Sequence, residues 1–532
     1  MNQPPKDYTA KGRTALFALI VLLIGVSFIP PQTVGGVKLR RANILSEILS
    51  FDDQTDLPAT EAELPDEEEF LIDLEEVSQK IEQEVVAAPP HTIQKTFRWD
   101  ADSTFRAERR AVLLDTTAIR HAITPIEDFS AEGSMEAFYD TLLHARRPVR
   151  IAFMGDSFIE GDILTQDLRE ELQAHYGGGG AGFAPFSSPL TGFRRSIKTQ
   201  AKGWTAHNVM QWKKTPELLR DNFYVSGWCC APSAGASTRW EMSSTKPHLG
   251  DCTAARVYFI AKQDAVVRLV LNDTARHEVA IEGDDAVREI IISAPRIASL
   301  AVEVAEGAAG FIGYGAVFED EGVVVDNYSV RSNNGQAMFR TNPSVNAQIN
   351  TMMPYDLVIL QYGLNMMQQD VHLYTNYAAQ IEKMVAYTKQ CFPSAAVLVL
   401  GVSDRSVKGA NGYEPMNSIP AMVRFQRGAA QKSGAAFWST VDAMRSMGGM
   451  AEFVAKGWAG KDFTHINFGG GRQVAHRLYD AIHRGVQTVA ERERVRREQE
   501  RARRLRIDSL SALMPEVALH VPEAGVELPA KN

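Results

Sequence analysis

Residues 149–162 read VRIAFMGDSFIEGD, an apolar β-like run that stops at Gly155-Asp156-Ser157 and then passes into a helical pattern. Downstream, residues 163–176 (ILTQDLREELQAHY) place Leu164, Leu168 and Leu172 four apart, which is the spacing of one helix face. Strand, tight turn and helix in that order form the unit of a parallel sheet, and open α/β sheets carry their sites at the carboxyl ends of their strands. Ser157 is therefore expected at such an end, presented as a nucleophile. Two later segments have the same texture. Residues 355–365 (YDLVILQYGLN) run apolar up to Gly363 and Asn365, and residues 461–468 (KDFTHINF) set Asp462 three positions before His465.

A serine hydroxyl attacks only when a base takes its proton, and that base needs an acceptor to fix its tautomer. Asp462 and His465 supply acid and imidazole from one turn. The attacked carbonyl gains negative charge, which fixed donors must meet. The candidate donors are the Ser157 N–H, the N–H of Gly335 in SVRSNNGQAM, and the side-chain amide of Asn365; Gly335 and Asn365 both follow apolar strands. Taken singly, the glycine also fits a plain turn and the asparagine a helix cap. The chain has no GxSxG elbow, which disfavours an ordinary α/β-hydrolase lipase. HExxH, CxxC and Walker patterns are missing too, so neither a cofactor nor a metal is implied. The GGGGAG at 177–182 contains GxGxxG but follows a helix instead of opening one, which rules out a dinucleotide reading. A flexible loop presenting Phe183 and Phe186 is expected there.

Between 195 and 320 the texture changes to short Val/Ile-rich runs (ARVYFIA, AVVRLVLN, HEVAIEG, REIIISA, SLAVEVA, GFIGYGAVFED) parted by turn residues. That pattern predicts an all-β sandwich or jelly roll, inserted into an α/β domain that resumes with VLVLGV at 397–402 and a helix at 472–482. A chain of 532 residues exceeds one core. The expected division is a basic flank (1–14), an apolar segment (15–29), an acidic linker (30–104), an α/β domain in two pieces (105–194 and 321–485), the β insert (195–320), and a charged helix and tail (486–532).

Residues 15–29 (ALFALIVLLIGVSFI) are a membrane signal, shorter than the roughly 20 residues a spanning helix usually needs. No small-x-small cleavage site follows, which favours an anchor over a cleaved signal peptide. Export of the bulk of the chain is expected from this layout, although the cations on the two flanks balance. The linker is acidic, with Phe70, Leu71, Leu74, Val77 and Ile81 at helical spacing near its end. A net charge of −9 gives no reason to expect nucleic-acid binding. Of the four cysteines, Cys252 could pair with Cys229 or Cys230 in an oxidising compartment, and buried free thiols are the equal alternative. Residues 491–506 suit a solvated helix, with Glu493–Arg497 and Glu500–Arg504 four apart.

Gly155-Asp156-Ser157, Gly335, Gly363-Leu364-Asn365 and Asp462 to His465, in this order, resemble the four blocks of the SGNH (GDSL-type) hydrolase family. The stretch GDSFIEGDILTQDLREELQAHYGGGGAGF, followed by a β-rich insertion, is similar to bacterial peptidoglycan O-acetylesterases, whose insert is carbohydrate-binding-like. The resemblance spans about 105–485. It implies a three-layer α/β/α fold around a parallel sheet, with Ser157 as nucleophile, His465 as base and Asp462 as its orienting acid. Ser157, Gly335 and Asn365 would form the oxyanion hole. The implied partner is an acetylated cell-wall glycan, met in the cell envelope, in the periplasm or otherwise outside the cytoplasm. Two departures stand out: GLN where GTN is usual, and INFGG where LTxxGY is common; neither removes a reacting group. The same site run with a sugar hydroxyl in place of water would be an O-acetyltransferase. A tethered glycan binder and a lipid or thioester hydrolase are further alternatives. Trp204, Trp212, Trp228 and Trp240 are available to stack on sugars, though core burial is the commoner fate of a tryptophan.

Overall fold

Every residue of Val149–Gly155, Leu357–Gln361 and Ala396–Leu400 is buried. Strands read as continuous apolar runs when helices cover both faces of a parallel sheet, and that is the arrangement in the computed structural model, which describes residues 32–34, 37–39, 73–86, 94–108, 123–190, 192–409 and 412–513. Six strands lie in the order Val323–Ser329, Val149–Gly155, Leu357–Gln361, Ala396–Leu400, Ala436–Trp438, Glu127–Asp128. All neighbours are parallel except the last pair. The chain runs from Val149–Gly155 outward to one side, then returns to build the other side. The order therefore reverses between Val149–Gly155 and Leu357–Gln361, a topological switch point, where α/β sheets open a crevice for ligands.

The helices fall into two groups. Ser134–His144 and Thr165–Tyr176 pack on the long helix Phe468–Leu513, while Thr375–Cys391 packs on both Pro343–Met352 and Ile419–Lys432. Met135, Phe138, Tyr139 and Leu142 form the buried face of Ser134–His144, the stripe their spacing predicts. Leu168 and Leu172 do the same for Thr165–Tyr176. The result is a mixed α/β fold.

A second sheet has ten strands, and its Gly182–Pro185 strand lies against Val323–Ser329 of the parallel one. The six Val/Ile-rich runs between 255 and 320 all form strands in it. Two long strands, Ile197–Asn208 and Trp228–Met242, pair antiparallel alongside them. Their Gly, Ser, Ala and Pro content gives little β signal on its own. Two expectations need correction. The 30–104 region is not all linker: the helical spacing near its end is realised in Leu74–Val86, packed on Pro343–Met352 and Thr375–Cys391, and Thr96–Asp100 adds a parallel strand beside Val287–Ile297. The glycine run does not present Phe183 and Phe186 on a flexible loop, because both rings are buried and Gly182–Pro185 is a strand on Phe311–Glu319. At Gly182, with φ +65°, an added side chain would run into the Val325 carbonyl. Of the two equal readings of the cysteines, the buried free thiols hold: all four are free and buried. Cys229 and Cys230 are consecutive in one strand and so point to opposite faces; burial pushes the Cys230 and Cys391 thiols up to about 12.

The helix expected at 472–482 and the charged one beyond it are a single helix of 46 residues. Its first half is buried through Val474, Leu478, Ile482, Val486 and Val489. The second half is solvated, with Arg497 on Glu493 at 2.8 Å. Residues Glu67–Asn532 form one compact unit, and the Met1–Asp66 unit contains an antiparallel pair, Gln32–Val34 with Val37–Leu39. The 15–29 segment and the tail beyond 513 lie outside the described residues. Among the described residues no helix is long and apolar enough to cross a membrane.

Candidate active site

Gly155 ends its strand against the next one so closely that a side chain there would collide with Gln361. The chain then turns sharply. Asp156 is fully buried and accepts the Phe158 N–H at 2.9 Å, while the Ile159 N–H reaches the Asp156 carbonyl at 3.4 Å. Between them Ser157 comes up half-exposed at the carboxyl edge of the sheet. Neither its hydroxyl nor its N–H has a hydrogen-bond partner among the described residues. Gly161 and Asp162 both take positive φ, at 60° and 68°. Asp162 is held there by Arg169 at 3.0 Å and by Arg194. These buried ion pairs fix the path from the serine turn into Thr165–Tyr176.

Asn365 leaves the neighbouring strand after Gly363, whose φ of 121° suits glycine. Its amide donates to the Asp156 carboxylate at 3.1 Å and to the Asn333 carbonyl at 3.0 Å. One side chain thus joins the loops after three adjacent strands. Gly335, with φ 98°, lies two residues beyond Asn333, and its N–H donates to Asn333 Oδ1 at 2.8 Å. Of the three donors expected for an oxyanion, the Ser157 N–H stands open while those of Asn365 and Gly335 are held on internal acceptors. Asn333 accepts from both of them, through its carbonyl and its side-chain oxygen, and the Asp156 carboxylate is the second acceptor of the Asn365 amide.

Asp462 and His465 sit in the loop that precedes the long helix. The His465 ring nitrogen Nδ1 is 2.6 Å from Asp462 Oδ2, and the N–H groups of Thr464 and His465 both donate to Asp462 Oδ1. Burial would raise this carboxyl, but the hydrogen bonds from the His465 ring and from the two backbone amides bring it down to about 2. It therefore stays ionised and holds the imidazole by Nδ1, leaving Nε2 for a reacting group. The loop itself is pinned by an Ala459–Ile466 bridge and by Asn467, whose side chain accepts from the Gly469 N–H at 2.9 Å to cap the helix.

Three contacts dock this unit on the serine side. Gly471 lies against the Ile163 carbonyl, Arg472 pairs with Asp167 at 3.2 Å, and His476 with Glu171 at 2.8 Å. Burial raises the Asp156 carboxyl to about 7, against the pull of the Phe158 N–H, the Gln361 side chain and the neighbouring His465. Asn365 thus meets Asp156 beside Ser157, and the segment after the Asp462–His465 pair docks on the segment after the serine. No hydrogen bond joins Ser157 Oγ to His465; such bonds are often long in the absence of substrate.

Several residues of this neighbourhood carried no prior signal of their own. Asp156 was visible only as the middle of the Gly155–Ser157 triplet, and Asn333 only as part of SVRSNNGQAM. Glu160 and Arg331 form a further pair beside the serine turn, Glu160 buried and Arg331 exposed. Of the four tryptophans considered for sugar stacking, Trp240 is core, Trp204 stacks on Phe186 at 4.5 Å, and Trp212 lies under the guanidinium groups of Arg220 and Arg340. Trp228 is half-buried in a small cleft with Asn327 and Ser329.

No protein-family model and no curated protein sequence matches the chain. Among solved structures, a peptidoglycan O-acetylesterase aligns at 21% identity with a TM-score of 0.55, over 68% of this chain and 99% of that one. A family two carbohydrate esterase from Cellvibrio japonicus aligns at 8% identity and TM-score 0.23, over 55% and 98% of the two chains. A family two carbohydrate esterase from Clostridium thermocellum in complex with cellohexaose gives 11% and 0.21, over 48% and 94%; these two scores are too low to bear on the fold. The first likeness establishes that this chain shares the fold of a peptidoglycan O-acetylesterase.

Proposed function

We propose that the protein is a serine esterase that removes O-acetyl groups from a cell-wall polysaccharide. Ser157 Oγ attacks the acetyl carbonyl carbon while His465 Nε2 takes its proton. The oxyanion is met by the N–H groups of Ser157 and Gly335 and by the Asn365 amide. As the intermediate collapses, the bond from the acyl carbon to the sugar oxygen breaks, and His465 returns the proton to that oxygen. Water then attacks the acetyl-serine with His465 as base, releasing acetate and restoring the hydroxyl.

The observation that supports this reading is the 2.6 Å Asp462–His465 pair on the loop before a helix whose Gly471 lies against the Ile163 carbonyl, with Asn365 tied to the residue beside the serine. The shared fold supports the acetyl-glycan class. The ten-stranded sheet fits a glycan-contacting module, and the apolar 15–29 segment fits attachment to a membrane with the catalytic part beyond it, in the cell envelope. The test is acetate release from O-acetylated peptidoglycan by the native protein and by Ser157→Ala. Release by the native protein alone is expected; equal release by both would remove the assignment.

A further inference from the structure

The loop after Ala396–Leu400 rises into a two-stranded ribbon, Ser406–Gly409 paired with Gly412–Pro415. Its second strand is exposed at every residue, so it contributes nothing to either core. Two-stranded ribbons are marginal in water without a partner. This one is tied to the catalytic loop instead: the Ser406 N–H donates to the Phe463 carbonyl at 3.0 Å, and the Tyr413 ring stacks on the Phe463 ring at 3.8 Å between centroids and 11° between planes. Phe463 lies between Asp462 and His465 and takes a positive φ of 54°, uncommon for a bulky residue. The stack covers one face of Tyr413, yet the residue is still 45% exposed. Lys408, directly opposite Tyr413 in the ribbon, emerges on the same side and is exposed too.

We propose that Tyr413 is a specificity-determining residue whose free ring face carries a pyranose ring of the polysaccharide next to the acetylated sugar. This rests on the esterase reading above. A flat aromatic surface with two soft torsions stacks on the apolar face of a sugar at little entropic cost. Lys408 beside it can donate to sugar hydroxyl or carboxylate oxygens. An exposed aromatic stacked on Phe463, two residues before His465, in a ribbon strand that buries none of its own residues is accounted for by such a contact. A small acetyl ester would not reach it.

The experiment compares native protein, Tyr413→Ala and Tyr413→Trp on O-acetylated peptidoglycan and on 4-nitrophenyl acetate. Loss of one stacked ring should raise KM for the polymer about tenfold with kcat unchanged. Kinetics on the small ester should be unaltered, and Tyr413→Trp should restore the polymer KM. Equal losses on both substrates would overturn the proposal in favour of a prop for Phe463, and unchanged polymer kinetics would overturn it outright. Binding of O-acetylated glycan strands is measured separately in the Ser157→Ala background. About tenfold weaker binding on adding Tyr413→Ala is expected, and undiminished binding would refute the platform. Absence of acetate release by the native protein would refute the esterase reading alone.

Discussion

Gly471 touches the carbonyl oxygen of Ile163 so closely that no side chain fits between them. The helix that follows His465 and the turn that follows Ser157 are therefore in backbone contact, although more than three hundred residues separate them in sequence. Gly471→Ala should push the helix start away from the serine turn. The expected result is a fall in kcat of about tenfold or more, since misplacement by an ångström can cost about a hundredfold. Arg472→Ala, which removes only a half-exposed ion pair, should be far milder. Steady-state kinetics on one acetyl ester checks both.

Asn365 donates to Asp156 and to the Asn333 carbonyl. Asn365→Ala should lower kcat by about 10²–10³, the loss seen when one oxyanion donor is removed. KM should change little. A variant with native kcat would show that the amide only braces the loops.

Asp462 is held down at about 2 by its hydrogen bonds, after burial has worked against them. It is ionised throughout the neutral range, so loss of activity between pH 4 and 6 cannot come from its titration. Asp462→Asn should lower kcat by about 10³–10⁴ by unfixing the imidazole tautomer. A loss under tenfold would indicate that His465 is oriented by other groups.

Burial raises the Asp156 carboxyl to about 7. Between about pH 4 and 7 the folded state then holds a proton that the unfolded chain has lost, so this group's contribution favours folding at low pH and fades as pH rises. Asp156→Asn removes the slope. The unfolding free energy of the variant, relative to native, should climb by up to about 4 kcal/mol across that window. Urea titrations at three pH values measure it, and parallel pH dependences would contradict the burial argument.

The parallel sheet was legible because its strands are buried on both faces: Val149–Gly155 and Leu357–Gln361 are apolar except for Arg150 and Gln361. The Asp462–His465 pair was legible because both members sit in one turn. Trp228–Met242 was not, since small and polar residues in a long antiparallel strand give no periodic signal and only its neighbours hold it in place. Thr96–Asp100 was hidden for a similar reason: its place is set by Val287–Ile297, far along the chain. The glycines near 180 suggested freedom, whereas their backbones are pressed against Phe318 and Val325. Tyr413 stacking on Phe463 depends on a ribbon crossing to another loop, which no local pattern encodes.

The account stands on Ser157 Oγ becoming acylated with the help of His465. The direct measurement is mass spectrometry of the protein quenched during turnover of an acetyl ester, with the peptide containing Ser157 sequenced. One added acetyl group on Ser157 is expected in the native protein, and none on Ser157→Ala or His465→Ala. Acetate released at the native rate with no acetyl on Ser157, or acetylation undiminished in His465→Ala, would contradict it.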